Sequence, residues 1–70
     1  MKKIYISPPC IKLEQALKLA SLVSSGGEAK LLIQNGEVAV NGEICGQRGK
    51  KLFGGEIITF GTEKFEVSVK

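Results

Sequence analysis

The sequence predicts an α+β fold, with two helices packed on a small, mainly antiparallel sheet of about four to five short strands. Three observations lead there. Between Lys12 and Val23, apolar residues recur at spacings of three and four; from Glu37 onward they alternate with polar ones; and Asn41-Gly42 separates two such alternating runs. The first pattern is that of a helix with one buried face and the second that of half-buried strands. The third is the strongest short signal for a two-residue hairpin.

Taken in order, Lys3-Ile4-Tyr5-Ile6 is alternating and rich in β-branched and aromatic residues, a short strand stopped by Ser7-Pro8-Pro9. Lys12–Val23 reads as the first helix, buried through Leu13, Ala16, Leu17, Ala20 and Val23, with Leu19 and Leu22 off the main stripe. Ser25 and Glu28 have capping-box spacing and open a second helix over Gly27–Gln34. Asn35-Gly36 closes it with a left-handed C-terminal cap. Ala29, Leu32 and Ile33 form its buried face, while Lys30 and Gln34 share the other. Glu37–Val40 and Glu43–Cys45 flank the Asn41-Gly42 turn, Leu52-Phe53 leads into Gly54-Gly55, and Glu56–Phe60 and Phe65–Val69 are further strands. The strand positions of Tyr5, Phe53, Phe60 and Phe65 assign these rings to the core.

Seventy residues fit a single domain, 1–70. A chain this short buries only about 60% of its unfolded surface, which leaves little room for a cofactor cleft. The chain has no His and no Asp, so the commonest general base at neutral pH is missing. Cys10 and Cys45 without any His do not make a structural zinc site. We therefore expect no enzyme activity, no metal and no cofactor. The start of the chain meets Ser7-Pro8-Pro9 before any long apolar run, and no stretch reaches membrane-spanning length. The expectation is a cytoplasmic monomer with reduced thiols and no membrane partner.

The charge is unevenly placed. Ten basic residues face seven acidic ones, and Arg48, Lys50 and Lys51 account for the whole net charge of +3. Such a concentrated patch on an otherwise balanced chain suits a polyanion. Gly46-Gln47-Arg48-Gly49 matches the GXXG clamp of one RNA-binding module, but that clamp needs a helix on each side and here strands flank it. A phosphate-binding loop is also excluded, because Ile44 and Lys51 occupy the positions that need Gly and Ser or Thr. Gly26-Gly27 opens a helix whose free amides favour an anion. Each of these features taken singly is also explained by a cap, a turn or a solvated loop.

Together they carry a resemblance. Leu13–Lys18, Ser24-Ser25-Gly26-Gly27-Glu28-Ala29-Lys30, Gln34–Glu43 and Gly54–Ile58, in this order and spacing, resemble the S4 domain, the RNA-binding domain named after a ribosomal small-subunit protein and also called the alpha-L RNA-binding motif. The likeness runs from about Ile11 to Phe60, and the Arg48–Lys51 run is similar to that of small stand-alone bacterial members. It implies binding to structured RNA, ribosomal or transfer RNA, on the ribosome or a ribosomal precursor. Carried over by position, it implies contacts from Gly27, Lys30, Gln34, Asn41, Gly42, Arg48, Lys50 and Lys51. The chain departs from the family in having Gly26-Gly27 where many members have Arg before the Glu-Ala step. It also has Lys12-Leu13-Glu14 where many have Arg-Leu-Asp.

Two other classes compete. A protein-interaction adaptor on the ribosome would use Leu19, Leu22 and Leu31 as an apolar patch, although packing against the strand and sheet is the expectation for them. The Val38–Ile44 and Gly54–Ile57 segments also resemble ubiquitin-like sulfur carriers of thiamine synthesis. Those need a terminal Gly-Gly for activation, and this sequence reads Val67-Ser68-Val69-Lys70 there.

Overall fold

The computed structural model describes residues 2–70, in the order β1 (Lys2–Ile6), β2 (Ile11–Lys12), α1 (Leu13–Leu19), α2 (Gly26–Gln34), β3 (Val38–Val40), β4 (Glu43–Ile44), β5 (Lys51–Leu52), β6 (Ile57–Phe60) and β7 (Glu63–Val69). Five strands form one sheet in the order β1-β7-β6-β3-β4, and β2 and β5 form a separate two-stranded ribbon. Every pairing in the large sheet is antiparallel except β1 with β7, which is parallel and sets Ile4 beside Val67. The α+β expectation of two helices on a mostly antiparallel sheet therefore holds. The ribbon is new: a two-residue ladder is too short to show any alternation, so the sequence places Lys12 at the start of a helix and Ile11 in no element.

The inward face of the sheet follows from period two. Ile4 and Ile6 of β1, Val38 and Val40 of β3, Ile58 of β6, and Phe65 and Val67 of β7 are all buried. Against them lie Leu13, Ala16, Leu17 and Ala20 from the first helical segment, Ala29 and Ile33 from the second, and Leu52 from the ribbon, in one apolar cluster. Burying a side chain such as Leu13 or Phe65 contributes about 1.5–3 kcal/mol. Helices α1 and α2 pack on each other, and Ala16, Ala20 and Ala29 are fully buried along with the larger Leu13, Leu17 and Ile33.

α1 is shorter than its apolar pattern suggested. It stops at Leu19 because Ser21 adopts a left-handed backbone, φ 63°. The Ser21 and Leu22 amides then turn back onto the carbonyls of Lys18 (3.0 Å) and Leu17 (3.1 Å), closing the helix end. Lys2 Nζ donates to the Ala20 carbonyl, adding a cation at the negative end of the helix dipole. α2 ends in the same way at Gly36, as its Asn35-Gly36 pair predicts, with Gly36 and Glu37 amides on Ile33 and Leu32. At its start Ser25 Oγ accepts from the Glu28 amide (3.2 Å), while the Glu28 carboxylate takes the amide of Ser24 rather than of Ser25 (2.8 Å).

Four side-chain expectations are corrected. Tyr5 and Phe53 are not in the core: they are 55% and 57% exposed. Tyr5 alternates outward between buried Ile4 and Ile6, and Phe53 follows buried Leu52 on the outer side. Leu19 and Leu31 are exposed as well, and only Leu22 of the three leucines of the candidate apolar patch packs partly on the core.

The hairpin is as its sequence demands. Val40 faces Glu43 across a two-residue turn in which Asn41 (φ 52°) and Gly42 (φ 87°) both hold left-handed backbone. Asn41 also completes the sheet. Its amide donates to the Ile57 carbonyl (2.8 Å) and its Oδ1 accepts from the Ile57 amide (2.9 Å), so the side chain continues the ladder where the backbone turns away. Replacing Asn41→Ala should lower unfolding stability by about 1–3 kcal/mol, from the stranded Ile57 amide and the left-handed strain. Asn41→Gly, which relieves only the strain, should fall between. Urea midpoints of the three proteins decide this.

Candidate nucleic-acid interface

Helix α1 begins directly after β2, with Lys12 at the position where a short oxygen-bearing side chain normally caps the first amides. Gln15 Oε1 accepts from the Lys12 amide (3.2 Å). The next two amides need acceptors from elsewhere, and the basic loop supplies them. Leu13 donates to the Lys50 carbonyl (2.9 Å) and Glu14 to the Arg48 carbonyl (3.1 Å), while a turn within the loop puts the Lys50 amide on Gln47 (3.2 Å). The segment that carries the chain's whole net charge is thus tied by its backbone to the start of a helix, and its side chains leave the anchored chain into solvent. Arg48, Lys50 and Lys51 are all exposed.

The ribbon adds a fourth cation. Ile11 faces Leu52 and Lys12 faces Lys51. Leu52 is fully buried and Ile11 packs on the core, so the alternate pair, Lys12 and Lys51, turns outward. Like charges directly opposite on an antiparallel pair repel. Lys12 was missed by sequence reasoning because it was read as the first residue of a helix. The signal was present only as Lys12-Leu13-Glu14 standing where relatives of the S4 type have Arg-Leu-Asp.

Beyond β5 the chain turns at Phe53–Glu56. The Glu56 carboxylate accepts both the Phe53 amide (2.8 Å, Oε2) and the Gly54 amide (2.8 Å, Oε1). Partial burial pushes its pKa up, but the amides of Phe53, Gly54 and Glu56 itself and the charge of Lys50 outweigh this, and the carboxyl sits below its ordinary value. Gly54 has φ 124°, and a β-carbon there would lie 2.9 Å from Val69 Cγ2, so neither the backbone nor the space admits a side chain. Gly55 donates to Val67 (2.7 Å) and Val67 to Glu56 (2.9 Å), which pins the turn to β7.

The remaining predicted contacts divide into two groups. Asn41 and Lys50 line one open groove between the hairpin and the loop, floored by Val40, Ile44 and Cys45, with Gly42 exposed at the hairpin tip. Gly27, Lys30 and Gln34 stand on α2, whose packing partner is α1, so they join the ribbon only through that helix pair. Gln34 is exposed and Lys30 half-buried. Cys10 and Cys45 are free thiols, both half-buried. No buried polar or charged side chain occurs among the described residues.

A model of the S4 domain matches residues 4–68. The chain belongs to the S4 domain family. This S4 domain is 44% identical over 55 residues to the "Probable ribosome maturation protein RlbA" of Bacillus subtilis (strain 168), across 79% of this chain and 78% of that protein. Its fold is similar to the solution structure of YbcJ from E. coli, described as revealing an αL motif involved in RNA-binding. There the TM-score is 0.73 and the identity 27%, over 97% of this chain and 87% of that one.

The lowered Glu56 pKa has a pH consequence for this S4 domain. A carboxylate depressed in the folded state stabilises above its unfolded pKa, ordinarily near 4.5, and that contribution is lost as pH falls through the folded value. Glu56→Gln should therefore be less stable than wild type at neutral pH, with the gap closing in acid, below the ordinary carboxylate range. Thermal melts at neutral and acid pH test it.

Proposed function

We propose that this S4 domain is a non-catalytic, single-domain RNA-binding protein. It docks on structured RNA, ribosomal in preference to transfer RNA, as a cytoplasmic monomer acting on the ribosome or its precursor. The observation that carries this reading is the Lys12–Lys51 pair, set face to face on an exposed ribbon beside Arg48 and Lys50. Two lysines held opposite each other repel until an anion lies between them, and a phosphate backbone supplies a row of such anions. Arg48 adds the option of a forked contact to one phosphate. The hairpin residues Asn41 and Gly42 border the same surface, while Gly27, Lys30 and Gln34 offer separate contacts on α2. The RNA-binding αL motif described for YbcJ and the ribosome maturation role in RlbA's name support the choice of RNA and of the ribosome.

The mechanism is electrostatic and geometric, with no chemical step. The cations neutralise phosphates and release counterions, while the carbonyl-anchored loop fixes their spacing before the RNA arrives. Pre-organisation of this kind lowers the ordering cost of binding.

A second reading has its own observation. Leu19 and Leu31 are 50% and 60% exposed, which suits contact with a ribosomal protein, so that one face would touch RNA and another protein.

Titration against ribosomal RNA fragments at several salt concentrations tests the main reading. Wild type should give a log–log slope of roughly −2 to −4, corresponding to three to five phosphate contacts. A variant with Lys12, Arg48, Lys50 and Lys51 all changed to Ala keeps every backbone carbonyl that caps α1, so it should stay folded, bind far more weakly and show a shallower slope. Equal binding by the two proteins would refute the assigned surface, and retained RNA affinity after Leu19→Ser and Leu31→Ser would separate it from the leucines.

A further inference from the structure

Phe53 is an exposed aromatic ring one residue beyond the end of β5. Leu52 is fully buried between two exposed neighbours, Lys51 and Phe53, and Lys12 faces Lys51 from the other strand. A single exposed apolar residue needs no explanation of its own. Phe53 differs in how firmly it is held. Its amide is bound by the Glu56 carboxylate, the next residue cannot be anything but Gly, and the turn is hydrogen-bonded to β7 through Gly55 and Val67. Lys50 lies close enough to the same carboxylate to bear on its ionisation. Tyr5, the other exposed aromatic, stands on the outer face of the sheet opposite Ser68, away from the ribbon.

We propose that Phe53 is a stacking platform for one unpaired nucleobase of the bound RNA, with Lys12 and Lys51 holding the phosphates beside it. This rests on the RNA-binding reading above and adds the feature that the RNA must present, a base free of its helix. Structured RNA offers such bases at bulges and loops, where they can be splayed out and stacked on an aromatic side chain. Every base has a stacking face, so the platform favours an unpaired nucleotide at this point without choosing which one. A ring flanked by cations and fixed on a turn loses little freedom when the base arrives, because its backbone is already set.

The experiment compares an RNA duplex carrying one bulged adenine with its fully paired counterpart, for wild type and for Phe53→Ala, Phe53→Leu and Phe53→Trp. Wild type should prefer the bulged RNA by roughly 5- to 100-fold, the range that stacking of one base supports. Phe53→Ala should bind both RNAs alike and keep the wild-type affinity for the paired one. Phe53→Trp should keep the preference and Phe53→Leu should lose most of it. In NMR spectra the bulged adenine's base protons should move upfield on binding wild type, from the ring current, and not on binding Phe53→Leu. Equal binding of both RNAs by wild type, or a preference undiminished in Phe53→Ala or Phe53→Leu, would overturn the platform while leaving RNA binding intact. Failure of wild type to bind either RNA would bring down the underlying reading, and the platform with it.

Discussion

The start of helix α1 depends on two carbonyls that belong to another part of the chain. Lys12 cannot cap a helix as Ser, Thr, Asp or Asn would, and the first amides of a helix must find acceptors. Arg48 and Lys50 provide them. That pair of hydrogen bonds sets the direction in which α1 leaves β2, and so decides that Leu13, Ala16 and Leu17 meet the sheet. It also brings β5 alongside β2 and fixes the basic loop. The residues that define the charged surface are therefore the ones that complete the fold, through their backbones, while their side chains stay available. Substituting those side chains spares the architecture, whereas changing the loop's length would disturb both.

Glu56 plays a parallel part on the other side of β5. Its carboxylate gathers the amides of a glycine-rich turn that could not otherwise hold one shape. It is an ionised acid beside Lys50, held in place by backbone donors on both of its oxygens. The net effect is a rigid corner at the end of β5. The loop and the corner bracket the two-residue strand Lys51–Leu52, so a very short ladder is held from both ends.

What could be read from residues alone was what local chemistry dictates. Asn41-Gly42 needs left-handed backbone at both positions, and the hairpin followed. Asn35-Gly36 ended α2 for the same reason, and the inward residues of α1 were correct because a period of 3.6 is visible over two turns. What escaped depends on partners distant in sequence. The β2–β5 ladder has no period to detect, and its register is set by Leu52 entering the core. Helix α1 is ended by the left-handed turn at Ser21, a residue type that rarely takes positive φ, and no pattern announces it. Phe53 was assigned to the core because aromatic residues near strands usually are; its exposure follows from Leu52, its neighbour, taking the inward place. Among the predicted contact residues, the loop cations were legible from charge clustering. Lys12 was not, since only the ribbon brings it to Lys51. Asn41 was legible as a turn residue, but its bond to Ile57 could be seen only once β6 was placed beside β3.

The parallel pairing of β1 with β7 joins the first strand of the described chain to the last. During synthesis on the ribosome, Ile4 and Ile6 emerge long before Phe65 and Val67 exist to cover them. The helices can form early from local contacts, but the sheet cannot close around them until the final strand has cleared the exit tunnel. Contacts between residues so far apart slow folding, because the whole intervening loop must be ordered before they form. A nascent chain stalled ahead of Phe65 would hold its apolar first strand open, and so would lack the finished sheet on which the charged ribbon is mounted.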